Sequence, residues 1–290
     1  MNDAAGRIRR RFPLEIGGRS VVLGERTWLM GILNVTPDSF SDGGLHYHTD
    51  AALGRGLALF EQGADIVDLG GESTRPGAAS VTADEEARRV VPVIEALRRR
   101  GAGLLSVDTT KAGVARAALD AGADLVNDVS GFRFDAALPA LVAERGVPAV
   151  VMHVRGDFTD MHREPRYVDV LAEVAAELAE SLARGEAAGV ARERMLVDPG
   201  IGFAKDARHS LLALQRLPEL ARLDRPILVG PSRKSFIGRV LDLPAGERLF
   251  GTAAAVAACV LNGAHVVRVH DVREMAQVAR LCDAILGAAA

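Results

Sequence analysis

The sequence predicts a single (β/α)8 barrel preceded by a short β-hairpin, and three observations carry that prediction. Short apolar or β-branched runs recur at Trp28 to Val35, Asp65 to Leu69, Leu104 to Val107, Leu125 to Asn127, Ala149 to His153, Met195 to Asp198, Ile227 to Val229 and Val266 to Val269. Polar turns and helix-length stretches such as Ala83 to Arg100, Val168 to Ala188 and Arg248 to Leu261 separate them, which is the alternation of a parallel sheet. The 290 residues then divide into eight units of roughly 36, the repeat size of such a barrel, whereas a doubly wound sheet needs only about five or six strands.

The elements follow in order. Met1 to Arg11 contains Arg7, Arg9, Arg10 and Arg11 but no apolar run, so it reads as a solvated, disordered basic tail rather than a secretory signal, with a basic binding arm as the alternative. Residues 12–290 form one domain. Pro13 to Ile16 and Ser20 to Leu23 flank Gly17-Gly18, the signature of a hairpin, which is expected to cover the barrel floor. Gln62-Gly63-Ala64-Asp65, Ala121-Gly122-Ala123-Asp124 and Asn262-Gly263-Ala264-His265 repeat one another, each ending a helix on a glycine cap before the next strand. Leu249 to Val267 lacks charge and approaches the ~20 residues of a membrane span. Its Ala and Gly content and the Asn262-Gly263 stop predict a packed helix instead, with no transmembrane segment.

Composition excludes several function classes. Thirty-five basic against thirty-eight acidic residues give a net charge of -3, which offers no general attraction for nucleic acid or an anionic membrane. The aromatic fraction of 4% also argues against base stacking. Cys259 and Cys282 have no CxxC partner, so neither a disulfide framework nor a thiolate metal site is indicated, and the cytoplasm is the expected compartment.

Side chains at the carboxyl ends of barrel strands converge on one mouth. Asn34, Asp68, Asp108, Asn127, His153, Asp198, Ser232, Arg268 and His270 all fall at or just beyond such ends. Helix capping accounts for single members of this set but not for the whole ring. Lysine occurs only at Lys111, Lys205 and Lys234, each after a strand, where a compact ammonium suits a phosphate or a reactive amine. For Lys111 a first-turn surface position is an equal reading. Lys234 lies in Pro231-Ser232-Arg233-Lys234-Ser235-Phe236 after Gly230, a composition suited to cradling an anion. Arg268 and His270, two apart on the last strand, share a face and form a predicted cationic corner.

The loops Asn34 to Gly44 and Gly70 to Gly77 are rich in turn residues. Thr74 and Arg75 offer anion-binding groups, and Asn34 offers a neutral oxygen for Mg2+ carried by a diphosphate. Asp108 and Asp198 suit an N–H-rich portion of a substrate, with Asn127 completing recognition of a flat heterocycle.

These residues carry a resemblance. Gly31 to Phe40, Gly71 to Gly77, Val107-Asp108-Thr109, Asn127-Asp128, Met152-His153, Asp198 to Phe203, Ser232 to Phe236 and Arg268 to Asp271 together resemble the dihydropteroate synthases over nearly the whole chain. The resemblance implies a (β/α)8 barrel, usually a homodimer, that joins 4-aminobenzoate to 6-hydroxymethyl-7,8-dihydropterin diphosphate in folate synthesis, with sulfonamides competing for the aminobenzoate site. By motif, Asp108, Asn127, Asp198 and Lys234 would hold the pterin, with Met152, Phe203 and Gly230 shaping its pocket. Asn34 with Mg2+, Arg268 and His270 would hold the diphosphate, and Thr74, Arg75 and Ser232 would lie near diphosphate or aminobenzoate. The catalytic set implied is Asp108, Lys234, Arg268 and His270, stabilising a departing diphosphate and a delocalised pterin cation.

Two positions depart from the family pattern: Ala204 stands where Gly is frequent, and Val154 where Met is frequent. The alternative readings are a non-catalytic pterin-binding paralogue, a pterin-dependent methyltransferase domain, and a barrel aldolase using Lys234 as a Schiff-base amine.

Overall fold

The computed structural model describes residues 9–36, 45–73, 80–157 and 166–288. Strands β1 (Phe12–Ile16) and β2 (Arg19–Leu23) pair antiparallel. Gly17 and Gly18 between them take positive φ of 55° and 70°, the backbone that a two-residue hairpin turn requires.

Eight parallel strands follow: β3 (Trp28–Asn34), β4 (Ile66–Gly70), β5 (Leu104–Asp108), β6 (Leu125–Asp128), β7 (Ala149–Met152), β8 (Met195–Asp198), β9 (Leu228–Val229) and β10 (Val266–Val269). Their order is β8-β7-β6-β5-β4-β3-β10-β9. The ring closes through a parallel bridge between Val197 and Ile227 and the Val197 N–H donating to the Pro226 carbonyl at 3.0 Å. Around it run α1 (Leu45–Glu61), α2 (Ala83–Arg99), α3 (Ala112–Asp120), α4 (Ala137–Arg145), α5 (Val170–Ala187), α6 (Ala207–Gln215), α7 (Ser235–Leu241), α8 (Leu249–Leu261) and α9 (Val272–Gly287). Each unit is the predicted βα alternation, and α7 is an addition inside the loop that follows β9. The repeated helix ends behave as read from the sequence: Gly63, Gly122 and Gly263 take φ of 106°, 110° and 95°.

Apolar burial divides by strand face. One cluster joins outward strand residues such as Leu33, Val67, Leu105 and Val269 to the inner faces of the helices. A second fills the lower barrel with Met30, Ile66, Leu104, Leu125, Val150, Leu196, Leu228 and Val266, and Leu14, Ile16 and Leu23 of the hairpin seal it from below. The floor is therefore apolar, and only the upper ends of the strands are free to carry polar groups. The uncharged run after Leu249 is α8, and among the described residues no helix is long and apolar enough to cross a membrane.

The basic tail needs correction at its last three residues; residues 1–8 lie outside the described ones. Arg9 is 7% exposed, ion-paired with Asp283 and bonded to Thr27 Oγ1 at 2.8 Å and the Ala264 carbonyl at 3.2 Å. Arg10 and Arg11 make exposed pairs with Asp224 and Glu25. Asp283 lies on α9, so Arg9 pins the entry strand to the end of the chain. No local sequence pattern reveals that partner. Arg9→Ala leaves Asp283 only the Thr27 N–H and hydroxyl as partners, both at 2.8 Å, and is expected to destabilise the fold by about 2 kcal/mol. Urea unfolding checks this, and a loss under about 0.5 kcal/mol, the range of ordinary surface changes, would make Arg9 a surface residue after all.

Candidate functional site

Strand register builds the mouth. Asn34 pairs with Gly70, Gly70 with Asp108, and Asp108 with Asn127, so four neighbouring strands end in one row. Met152 pairs with Asp198 further round.

At the centre lies Arg268 of β10. Its Nε donates to Asp68 Oδ2 at 2.6 Å and its Nη2 to Asp108 Oδ2 at 2.7 Å. Asp68 is fully buried and also accepts from Asn127 Nδ2 at 3.0 Å, while its other oxygen, equally buried, has no hydrogen-bond partner among the described residues. Burial drives the Asp108 carboxyl up to about 7; Arg268 pulls it down, and the negative charge of Asp68 pushes it up again. Burial works against the charge of Arg268 too, but the two aspartates hold its pKa above the ordinary value.

The opposite wall is made by the loops after β8 and β9. Asp198 accepts the Gly200 N–H at 2.7 Å, and burial raises its carboxyl to about 6 despite that bond and the charges of Lys234, Lys205 and Arg268. Lys234 Nζ sits 4.0 Å from the centre of the Phe203 ring. Burial and the neighbouring Arg268 bring it down to about 8, with Asp198 and Asp108 resisting. Met152, Val129, Val154 and Ala204 form an apolar cluster against Phe203. Gly230 lies beside Arg268, whose Cβ is 3.8 Å from where a Cβ on the glycine would stand.

One expectation is revised: the corner formed by Arg268 and His270 is not doubly cationic. Burial, followed by the charges of Arg268 and Arg233, lowers the His270 imidazole to about 3, so it is neutral at pH 7. The Ser232 hydroxyl accepts the His270 backbone N–H at 3.2 Å and lies 3.0 Å from its Nδ1, which fixes the imidazole against the loop after β9. Lys111 is revised as well. Its Nζ lies 2.7 Å from Glu72 and 2.6 Å from the buried Glu86, and Glu72 accepts the Val81 N–H at 2.8 Å. Lys111 is thus neither an anion ligand nor a free surface residue; it clamps both stems of the second loop. Thr74 and Arg75 lie outside the described residues.

Asp68 stands in the ring of strand-end residues with no role read from sequence, and the signal for one is a single acid inside the apolar run Ile66 to Leu69. His153 and Lys205 likewise have no function read from sequence. The structure buries both and joins them to Glu177 and Arg155, which no spacing rule connects.

The mouth thus combines an apolar patch that includes Met152 and Phe203, the carboxylate and amide groups of Asp68, Asp108, Asn127 and Asp198, and an arginine, a lysine and a hydroxyl–imidazole pair. That is a barrel enzyme's site for a planar, hydrogen-bonding heterocycle carrying an anionic group. A sequence-family profile described as "Pterin binding enzyme" matches residues 30–270. The dihydropteroate synthase of Synechocystis is 46% identical over 94% of this chain and 95% of its own length. Among solved structures, Xanthomonas albilineans dihydropteroate synthase with 4-aminobenzoic acid is similar with a TM-score of 0.89, at 44% identity over 95% of this chain and 98% of that one. The same enzyme in complex with 7,8-dihydropteroate gives 0.84 at 41% identity, covering 94% and 98%. The chain belongs to the dihydropteroate synthase family of pterin-binding barrel enzymes.

Buried, destabilised carboxylates leave a thermodynamic trace. Asp198 holds its proton in the folded protein to about 6, whereas an unfolded aspartate releases it near ~4. Between those values the folded state binds more protons, so this carboxyl's contribution to stability is present at low pH and is lost as pH rises through about 6. Asp198→Asn should therefore stabilise the protein at pH 8 by roughly 2 kcal/mol, a gain that vanishes by about pH 4. Thermal melts across that range test it, and a variant less stable than the parent at pH 8 contradicts the burial argument.

Proposed function

We propose that this mouth is where the chain condenses 6-hydroxymethyl-7,8-dihydropterin diphosphate with 4-aminobenzoate, giving 7,8-dihydropteroate and diphosphate. The observation that carries the reading is the Arg268 bridge between Asp68 and Asp108, which sets negative charge on the pterin side and a guanidinium within the same cluster. Asp108, Asn127, Asp198 and Lys234 hold the pterin edge, while Met152, Phe203 and Gly230 bound its faces. Arg268, His270 and Ser232 receive the diphosphate, and by the family pattern Thr74 and Arg75 lie near diphosphate or aminobenzoate. Sulfonamides, being shaped like aminobenzoate, compete for that last position.

Ionisation of the pterin C–O bond releases diphosphate and leaves a delocalised cation. Asp108 and Asp68 stabilise that cation electrostatically, and Arg268 and Lys234 stabilise the leaving group. The aniline nitrogen then forms the new C–N bond and loses its proton to solvent. No covalent intermediate with the protein is needed, so a Schiff base on Lys234 has no place in the scheme.

Mg2+ fits the donors present. Asn34 ends β3 beside Gly70 and offers a neutral oxygen, and among the described residues no group of three or more His, Cys, Asp or Glu side chains forms a metal cage. Such a donor set suits an ion that arrives on the diphosphate and keeps most of its water; when bound it would neutralise leaving-group charge. We place the protein in the cytoplasm, consistent with the two free cysteines, Cys259 and Cys282. We assign it a homodimer through α7, α8 and α9, where Val240, Leu241, Phe250, Leu281 and Ile285 are exposed.

The decisive assay mixes the protein with the pterin diphosphate, 4-aminobenzoate and Mg2+ and measures diphosphate release. Turnover dependent on both substrates is expected; pterin binding without turnover would identify a non-catalytic or methyl-transferring relative. Arg268→Ala, which removes the anion's ligand and leaves two buried carboxylates unpaired, should lower kcat/KM for the pterin diphosphate by about 100-fold. An unchanged value takes Arg268 out of the site.

A further inference from the structure

Behind the pocket wall lie buried groups that the reaction scheme does not use. His153 and Lys205 are 3% and 7% exposed. Lys205 Nζ stands 2.8 Å from His153 Nδ1 and donates to the Phe203 carbonyl at 3.2 Å. His153 Nε2 lies 3.0 Å from Glu177 Oε2. Glu177 in turn accepts from Arg155 Nε at 2.8 Å, and Arg155 also reaches Glu173 at 2.7 Å. The His153 backbone N–H donates to the Asp198 carbonyl at 2.9 Å. Gly200 packs so closely that a Cβ there would stand 2.0 Å from the His153 carbonyl oxygen. One hydrogen-bonded chain therefore runs from α5 through His153 and Lys205 into the loop that carries Asp198 and Phe203.

A buried ammonium is costly to keep, and its surroundings decide which member of the chain holds the proton. The charged groups acting on Lys205 are Asp198 at the end of β8, Glu177 on α5, Arg155 after β7 and Lys234 before α7, with the Tyr167 ring 5.9 Å from its Nζ; behind these, Glu173 pairs with Arg155, and His209 packs on Tyr167 and pairs with Asp206. Burial and then the Lys205 charge lower His153 to about 4, so His153 is neutral at pH 7. Lys205 is where the proton binds: burial lowers it to about 7, while Asp198 and Glu177 support the charge, so the ammonium is about half charged at pH 7. That charge also draws down the Asp198 carboxyl.

We propose that Lys205 is a positioning residue for pterin recognition, tied by His153 and Glu177 and fixing the Phe203 carbonyl, and with it the loop that carries Asp198 and Phe203. The proposal rests on the pocket reading of Asp198 and Phe203 given above.

The test titrates the full-length protein calorimetrically with pteroic acid from pH 5 to 9, alongside steady-state kinetics. Lys205→Met should weaken binding about tenfold at pH 7 and flatten the alkaline side of the profile, where Lys205 itself titrates. KM for the pterin diphosphate should rise with little change in KM for 4-aminobenzoate. Glu177→Gln lies on α5 outside the pocket and removes a charge that supports the Lys205 proton, so its alkaline-side midpoint should fall with binding otherwise kept. A folded Lys205→Met protein with parental affinity and alkaline-side profile overturns the proposal. If that variant does not fold, an unmoved alkaline midpoint in Glu177→Gln overturns it. Asp198→Asn separates the two levels: weakened binding there with no effect at Lys205 removes only the positioning role, whereas parental binding in Asp198→Asn removes the pocket reading on which it stands.

Discussion

Everything at the mouth is organised by one buried guanidinium held between two carboxylates. Asp68 and Asp108 stand on adjacent strands, and Arg268 between them opposes the burial and the Asp68 charge that push the Asp108 carboxyl up. Asp68 also orients the Asn127 amide. Such buried bridges contribute little to stability compared with apolar packing, so their retention points to geometry rather than to folding energy. Among the described residues the second oxygen of Asp68 has no partner, so the polar end of the barrel carries a buried acceptor, while its floor is closed by hydrocarbon.

The surrounding ionisations follow from that arrangement. Burial pushes acids up and bases down, so Asp198 and Asp108 come to about 6 and 7 while Lys205 and Lys234 come to about 7 and 8. Four groups that in water titrate far apart converge near neutral pH. His270 at the mouth and His153 behind its wall are excluded from the charge balance because burial and then neighbouring cations keep them neutral. The imidazoles therefore act as hydrogen-bonding spacers, and the charge is carried by arginine, lysine and aspartate, where local geometry controls it.

How much of this is legible in the sequence depends on whether a residue's partner lies in a repeating pattern. The strands, the glycine caps at Gly63, Gly122 and Gly263, the hairpin and the ring of strand-end residues are periodic, and periodicity survives in one dimension. Asp68, Asp108, Asn127 and Arg268 were placed at one end of the barrel because strand ends converge there. Their mutual bonds, spanning 59 to 200 positions, were not readable. Lys111 shows the limit plainly: its position after a strand looked like that of Lys234, and only the facing Glu72 and Glu86 decide that one lysine clamps a loop while the other joins the pocket wall. Arg9 was assigned to a solvated tail because its partner, Asp283, lies 274 residues away.

The two loops that bring Phe203 and Lys234 together are both built on strained backbone. Ala204 and Arg233 take φ of 46° and 56°, a region that costs a residue with a side chain about 1–2 kcal/mol. Strain of this kind persists only where surroundings over-determine it, and here they do. The carbonyls of Phe203 and Ala204 accept from Lys205 and from the Tyr167 hydroxyl, at 3.2 and 2.9 Å. At Arg233 the N–H donates to Thr252 Oγ1 at 3.0 Å, the carbonyl accepts from Arg248 at 3.1 Å, and the guanidinium is bound to Asp271. Ala204 thus keeps the conformation that a glycine would adopt more cheaply. Tyr167 for the first turn and Thr252, Arg248 and Asp271 for the second hold the strained backbone from outside the loop, and the lysine and the aromatic ring of these two loops meet at 4.0 Å.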